Sequence, residues 1–193
     1  LGEGAGDLNA VEFADAIQSL GATFSADADH ESAGVSLTVL KRTFPRAAAL
    51  MADAIRRPRL EQSDWDRVKR LHLEELKQQD DQPTLVAGRV GTRLLFGNDH
   101  PYAWPTSGVA QTVIPLTLES VQAQHKELFR LDHATIMIAG DLTVEEARAT
   151  LERAFGSWSR SPRTTRTQPA PMPIPSADAV RVVVVDRPGA VQT

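Results

Sequence analysis

Residues 22–40 abandon helical spacing for strict alternation, and that stretch alone removes an all-helical fold. Ala22, Phe24, Ala26 and Ala28 alternate with Thr23, Ser25 and Asp27. After the polar link Asp29-His30-Glu31, Ala33, Val35, Leu37 and Val39 alternate with Ser32, Gly34, Ser36 and Thr38. A period of two puts successive side chains on opposite faces, so the pattern predicts two half-buried strands in a hairpin. A helix precedes them. Asn9-Ala10-Val11-Glu12 spells a capping box, Phe13, Ile17 and Leu20 recur on one face, and Gly21 supplies the stop.

Helical spacing returns over Thr43–Arg57, with Thr43 as the expected cap, Pro45 in the first turn and Pro58 as terminator. A further helix is expected from about Gln62 to Asp80, carrying Asp66–Arg70 and Arg70–Glu74 pairs at spacing four. Another starts at Pro83 and runs to Gly97. Asn98–Gly108 reads as a loop, and Thr117–Phe129 as a helix capped through Ser120. The unbroken apolar run Ala134–Ala139 predicts a buried strand, and Thr143-Val144-Glu145-Glu146 a second capping box. Prolines 162, 169, 171, 173 and 175, interleaved with Arg160, Arg163 and Arg166, predict an extended linker. A strand over Val180–Val185 follows it. This order gives an α+β fold with helices packed on one face of a largely antiparallel sheet. The expected organisation is a domain over 1–158, a Pro/Arg-rich linker over 159–177, and the first strand of a following domain over 178–193. Both ends read as cuts through a longer polypeptide.

Several functions are excluded by composition. Lys plus Arg number 21 and Asp plus Glu 25, a net charge of −4 without the positive field that nucleic-acid binding needs. The longest apolar run, Ala47–Ala52, is far short of the ~20 residues of a membrane span. With no cysteine there is no thiolate metal site and no Cys nucleophile. No Gly-x-Ser-x-Gly elbow places a serine on a strained turn. Gly2-Glu3-Gly4-Ala5-Gly6 lacks both the preceding strand and the Gly-Lys-Ser/Thr of a phosphate cradle, and reads as a flexible entry to the first helix.

The chemistry-bearing candidate is His72-Leu73-Glu74-Glu75-Leu76. Two imidazoles at spacing four would chelate zinc from one helix face, but the second position is Leu76. Trp65, Val68, His72 and Leu76 share a seam that Glu75 borders. A carboxylate there is either solvated and salt-bridged, the plainer reading, or held by a metal. His100-Pro101-Tyr102-Ala103-Trp104-Pro105 reads as a cover over the core rather than a ligand loop.

The segments together resemble the insulinase (pitrilysin) family of zinc metallopeptidases, which includes the mitochondrial processing peptidases. The resemblance rests on Glu3-Gly4-Ala5-Gly6, Leu20-Gly21-Ala22, Ala49–Pro58, the Glu75 helix and Asn98-Asp99-His100-Pro101-Tyr102 with Pro105 and Gly108. Ile138-Ala139-Gly140-Asp141 and Phe155-Gly156-Ser157-Trp158 complete it. It implies an α+β half-unit paired with a second half or a catalytic partner subunit around a peptide substrate. Active members hold zinc through His-x-x-Glu-His and a later Glu. In that register the motif would precede Leu1, Glu75 matches the third zinc ligand, and Val68 stands where catalytic members carry another carboxylate. The departure at Val68 and the Glu-Gly-Ala-Gly opening look like the non-catalytic repeats, which help enclose the peptide. The resemblance therefore implies zinc in the parent or partner, none bound by this chain alone, and no cleavage by the isolated chain. The alternative is a piece of a catalytic half whose His-x-x-Glu-His lies just upstream. Many bacterial members are exported, which favours periplasm over cytoplasm.

Overall fold

The computed structural model describes residues 1–158, 180 and 182–186. Residues 1–66 and 117–158 belong to one compact unit and residues 67–116 to another. Among the described residues the fold is α+β, with seven α-helices and two small antiparallel sheets.

The first unit begins with β1 (Gly4–Ala5) and β2 (Leu8–Asn9), a two-stranded ladder pairing Gly4 with Asn9 and Ala5 with Leu8. The glycine-rich opening is therefore a hairpin, which corrects its reading as a flexible entry. Close approach explains the glycine: Gly4 has φ +112°, and a Cβ there would lie 2.6 Å from the Leu8 carbonyl oxygen. Helix α1 (Ala10–Ser19) starts at the expected capping box, in which the Glu12 amide donates to Asn9 Oδ1 at 3.0 Å and the Asn9 amide to Glu12 Oε2 at 2.9 Å. Gly21, at φ +63°, turns the chain into the hairpin of β3 (Thr23–Ala28) and β4 (Ala33–Thr38). The register runs from Thr23↔Thr38 to Ala28↔Ala33. Asp29 Oδ1 closes the turn by accepting from the Glu31 and Ser32 amides, both at 2.7 Å.

Helix α2 (Phe44–Arg56) carries the core of this unit. Four of its alanines, Ala47, Ala48, Ala52 and Ala54, are almost fully buried, and such small side chains let neighbouring elements approach closely. Ala54 joins Ala5, Phe13 and Ile17, with Phe24 and Leu50 packed beside them. Ala48, Ala52 and Ile55 meet Ala154 and Phe155 of α7 (Val144–Phe155). The expected Thr43 cap is not formed. Its hydroxyl donates to the Leu20 carbonyl oxygen at 2.8 Å and ties the end of α1 to the start of α2. Helices α6 (Leu118–Leu128) and α7 both begin at the expected capping boxes, Thr117 with Ser120 and Thr143 with Glu146.

Two expected strands are not formed. Residues 134–139 lie outside any ladder and are exposed, with Ile136 at 46% and Met137 at 89%. Val180 and Val182–Val185 are likewise exposed and outside any ladder. β-prone sequence makes a strand only when a neighbouring backbone accepts its hydrogen bonds, and neither segment has one among the described residues. The predicted linker over 159–177 lies outside the described residues.

Helix α3 (Gln62–Asp80) has the expected span and leads into the second unit, which holds α4 (Pro83–Phe96) and the short α5 (Ala110–Val113). The 98–108 loop contains a 3-10 turn at Pro101–Ala103 and a ring cluster. Phe96 lies 5.0 Å from His100 and 5.6 Å from Tyr102 by centroids. Ala103 is fully buried. The loop is a packed element, as its rings and prolines predict.

Candidate functional site

The C-terminal part of α3 brings the sequence candidates together. Leu76 is buried at 2% exposure and fixes which helix face turns inward. Val68 and His72, one and two turns earlier, are half-buried on the same seam. Glu75, one residue off the seam, points outward with its side chain 63% exposed. The solvated reading of this carboxylate is what the geometry gives.

His72 is held from both sides. Its Nε2 lies 2.8 Å from the Ser107 carbonyl oxygen. A carbonyl only accepts, so Nε2 carries the proton and the neutral ring leaves its Nδ1 lone pair free of hydrogen. That Nδ1 stands 3.7 Å from Glu75 Oε2. Gln79 Nε2 donates to Glu75 Oε1 at 3.4 Å, one turn further on. One imidazole lone pair and one carboxylate thus face each other on the helix surface. Lys69 on the same helix donates to the carbonyl oxygens of Ile114 and Leu116 at 2.7 and 2.8 Å, anchoring the segment after α5. Neither the Ser107 contact nor the Lys69 contacts were legible in sequence, because their partners lie 35 to 47 residues away. Arg70 pairs with Glu74 at 3.2 Å as expected, whereas Asp66 accepts from Gln62 at 2.7 Å.

The donor set falls short of zinc. A catalytic zinc takes three protein ligands and a water. Among the described residues no group of three or more His, Asp or Glu side chains converges, and the α3 surface offers two donors. The residues present do not by themselves fit the metal. Among the described residues no helix is long and apolar enough to cross a membrane.

Comparison with known proteins bears on the same residues. Residues 4–95 match the family model described as Insulinase (Peptidase family M16), and residues 115–193 match the model described as Peptidase M16 inactive domain. An uncharacterized zinc protease of Mycobacterium tuberculosis is 28% identical over 149 residues, covering 77% of this chain and 34% of that protein. A non-peptidase homolog of Helicobacter pylori is 24% identical over 155 residues, covering 80% of this chain and 36% of its own length. The chain thus spans about a third of the length of the curated relatives it matches. A solved peptidase M16 inactive domain from Pseudomonas fluorescens superposes with a TM-score of 0.77 at 26% identity, over 87% of this chain and 41% of that one. Two models of one family, met in order along the sequence and joined by a shared fold, lead to one assignment: the chain belongs to the insulinase family of peptidases, M16.

Proposed function

We propose that this chain is a non-catalytic insulinase-type half-domain that forms one wall of a peptide-enclosing chamber beside a zinc-bearing half. In this reading residues 1–158 are the half-domain, 159–177 a tether, and 178–193 the first strand of the next half. The observation that carries it is the α3 surface. Glu75 occupies the position matching the family's third zinc ligand, yet it is exposed and accompanied by only one other donor, His72. The match of residues 115–193 to a model described as inactive supports the same reading. Such a half has no bond-breaking to perform. Its contribution is to bind and orient an extended peptide and to exclude water from a site that its partner supplies.

A second reading has a specific support, the zinc-protease name carried by the 28%-identical relative. In it a His-x-x-Glu-His upstream supplies two imidazoles, and Glu75 completes the site. One experiment separates the two readings. The full-length parent is purified, and its zinc content and chelator-sensitive cleavage of an unstructured peptide are measured with and without Glu75→Gln. The non-catalytic reading expects substoichiometric zinc, no cleavage, and no effect of the substitution on either. One zinc per chain, with cleavage lost in Glu75→Gln, overturns it in favour of the second reading.

A further inference from the structure

β4 pairs with β3 on one side only, so its other edge presents unpaired amides and carbonyls. That edge borders a groove of about 720 Å³. Residues 32–39 form one wall and residues 134–142 the other, and no residue of β3 takes part. The floor is apolar, with Ala48 and Ile55 of α2, Phe155 of α7, and Phe129. The opposite wall includes the apolar 134–139 segment, which lies outside any ladder and exposes Ile136, Met137 and Ile138 at 46, 89 and 42%. Two runs of backbone without partners thus face an apolar floor, an arrangement that takes an extended strand and leaves no other source for their hydrogen bonds except water.

The chain's first residue lies close to one end of this groove. The Leu1 ammonium acts on His125, whose ring stacks on Phe129 at 5.0 Å, and Phe129 lines the floor. Burial also holds that ammonium below its ordinary pKa, a cost that a peptide bond at the same place would remove. The curated relatives are about three times as long as this chain, so a family member has polypeptide to supply. We propose that the groove between β4 and residues 134–139 is filled by a β-strand of the longer polypeptide immediately N-terminal to Leu1, joining the two walls into one sheet. Its side chains alternate, with apolar ones facing α2 and α7. The inference stands independently of whether the half is catalytic.

Hydrogen–deuterium exchange on the 193-residue chain and on the full-length polypeptide tests it. The amides of residues 33–39 and 134–139 are expected to exchange about 100-fold more slowly in the full-length protein, while those of α2 differ little. Equal rates in the two proteins overturn the proposal. Two other outcomes overturn it as well. Protection in the 193-residue chain that disappears on deletion of residues 180–185 assigns the groove to the chain's own valine segment. Protection that rises with protein concentration assigns it to a second copy. If the shorter chain fails to fold, a protease site placed just before Leu1 in the full-length protein gives the answer. The released N-terminal fragment is expected to remain bound through gel filtration and to separate when Ile136→Asp and Ile138→Asp are introduced. A fragment that elutes apart from the unsubstituted groove overturns the proposal.

Discussion

His125 donates from Nε2 to the Ile55 carbonyl oxygen at 2.9 Å, tying α6 to the last turn of α2. Carbonyls in a helix's last turn lack intrahelical partners, so the imidazole supplies one that the helix cannot. Burial lowers the pKa of His125. The bond to Ile55 opposes that shift, and the charges of the Leu1 ammonium and Lys126 add to it. The sign follows directly. A histidine whose folded pKa lies below its unfolded value of about 6.5 favours folding when neutral. Its contribution is complete above that pH and is lost as pH falls towards the lowered folded value. Urea midpoints are expected to fall as the pH drops below about 6.5, and His125→Gln to flatten that part of the curve. A curve of unchanged slope in the variant refutes the assignment.

Phe13 is 2% exposed and meets Phe24 edge-on, with centroids 5.3 Å apart and planes at 87°. Truncation leaves a cavity between α1, β3 and α2 that these elements cannot close. Phe13→Ala is expected to cost about 3–5 kcal/mol in denaturant unfolding. Val11, on the same helix but 68% exposed, is the control, with Val11→Ala within about 0.5 kcal/mol of the parent.

Gly4 and Gly2 separate a required glycine from an incidental one. A Cβ at Gly4 would lie 2.6 Å from the Leu8 carbonyl oxygen, and β1 also bridges Ala5 to Pro58 at the end of α2. Neither backbone can give way without opening the ladder. Gly4→Ala is expected to destabilise by about 1–3 kcal/mol. Gly2→Ala, with nothing within 4 Å of the added carbon, is expected to leave the urea midpoint unchanged.

Local signals were readable and distant ones were not. The capping boxes at Asn9 and Thr143 and the Asp29 turn each close within three residues, so the sequence carries their whole geometry. Thr43 has the chemistry of a cap but spends its hydroxyl on Leu20, a choice set by packing 23 residues away. Ala134–Ala139 has the composition of a buried strand, yet strand formation is a property of a pair, and the sequence does not specify the neighbour. At the candidate site the chemistry of His72 and Glu75 was legible from their spacing. The tautomer of His72 was not, because it depends on Ser107 in a loop 35 residues on.

The same contact makes His72 and Glu75 separable by experiment. His72 bonds across to the loop carbonyl and is half-buried, so His72→Ala leaves that oxygen without its donor and is expected to cost about 1 kcal/mol. Glu75 holds only its helix neighbours, at 3.4 and 3.7 Å, and its side chain is largely in water. Glu75→Gln keeps the shape and is expected to change stability by less than about 0.5 kcal/mol. Zinc added to the 193-residue chain is expected to bind weakly, since two donors lack the chelate that a third supplies. Calorimetric titration of both variants checks this. Loss of the weak heat signal in each variant assigns it to the pair, whereas retention in both places the metal elsewhere. A stability loss in Glu75→Gln as large as that in His72→Ala would show that the carboxylate holds the fold.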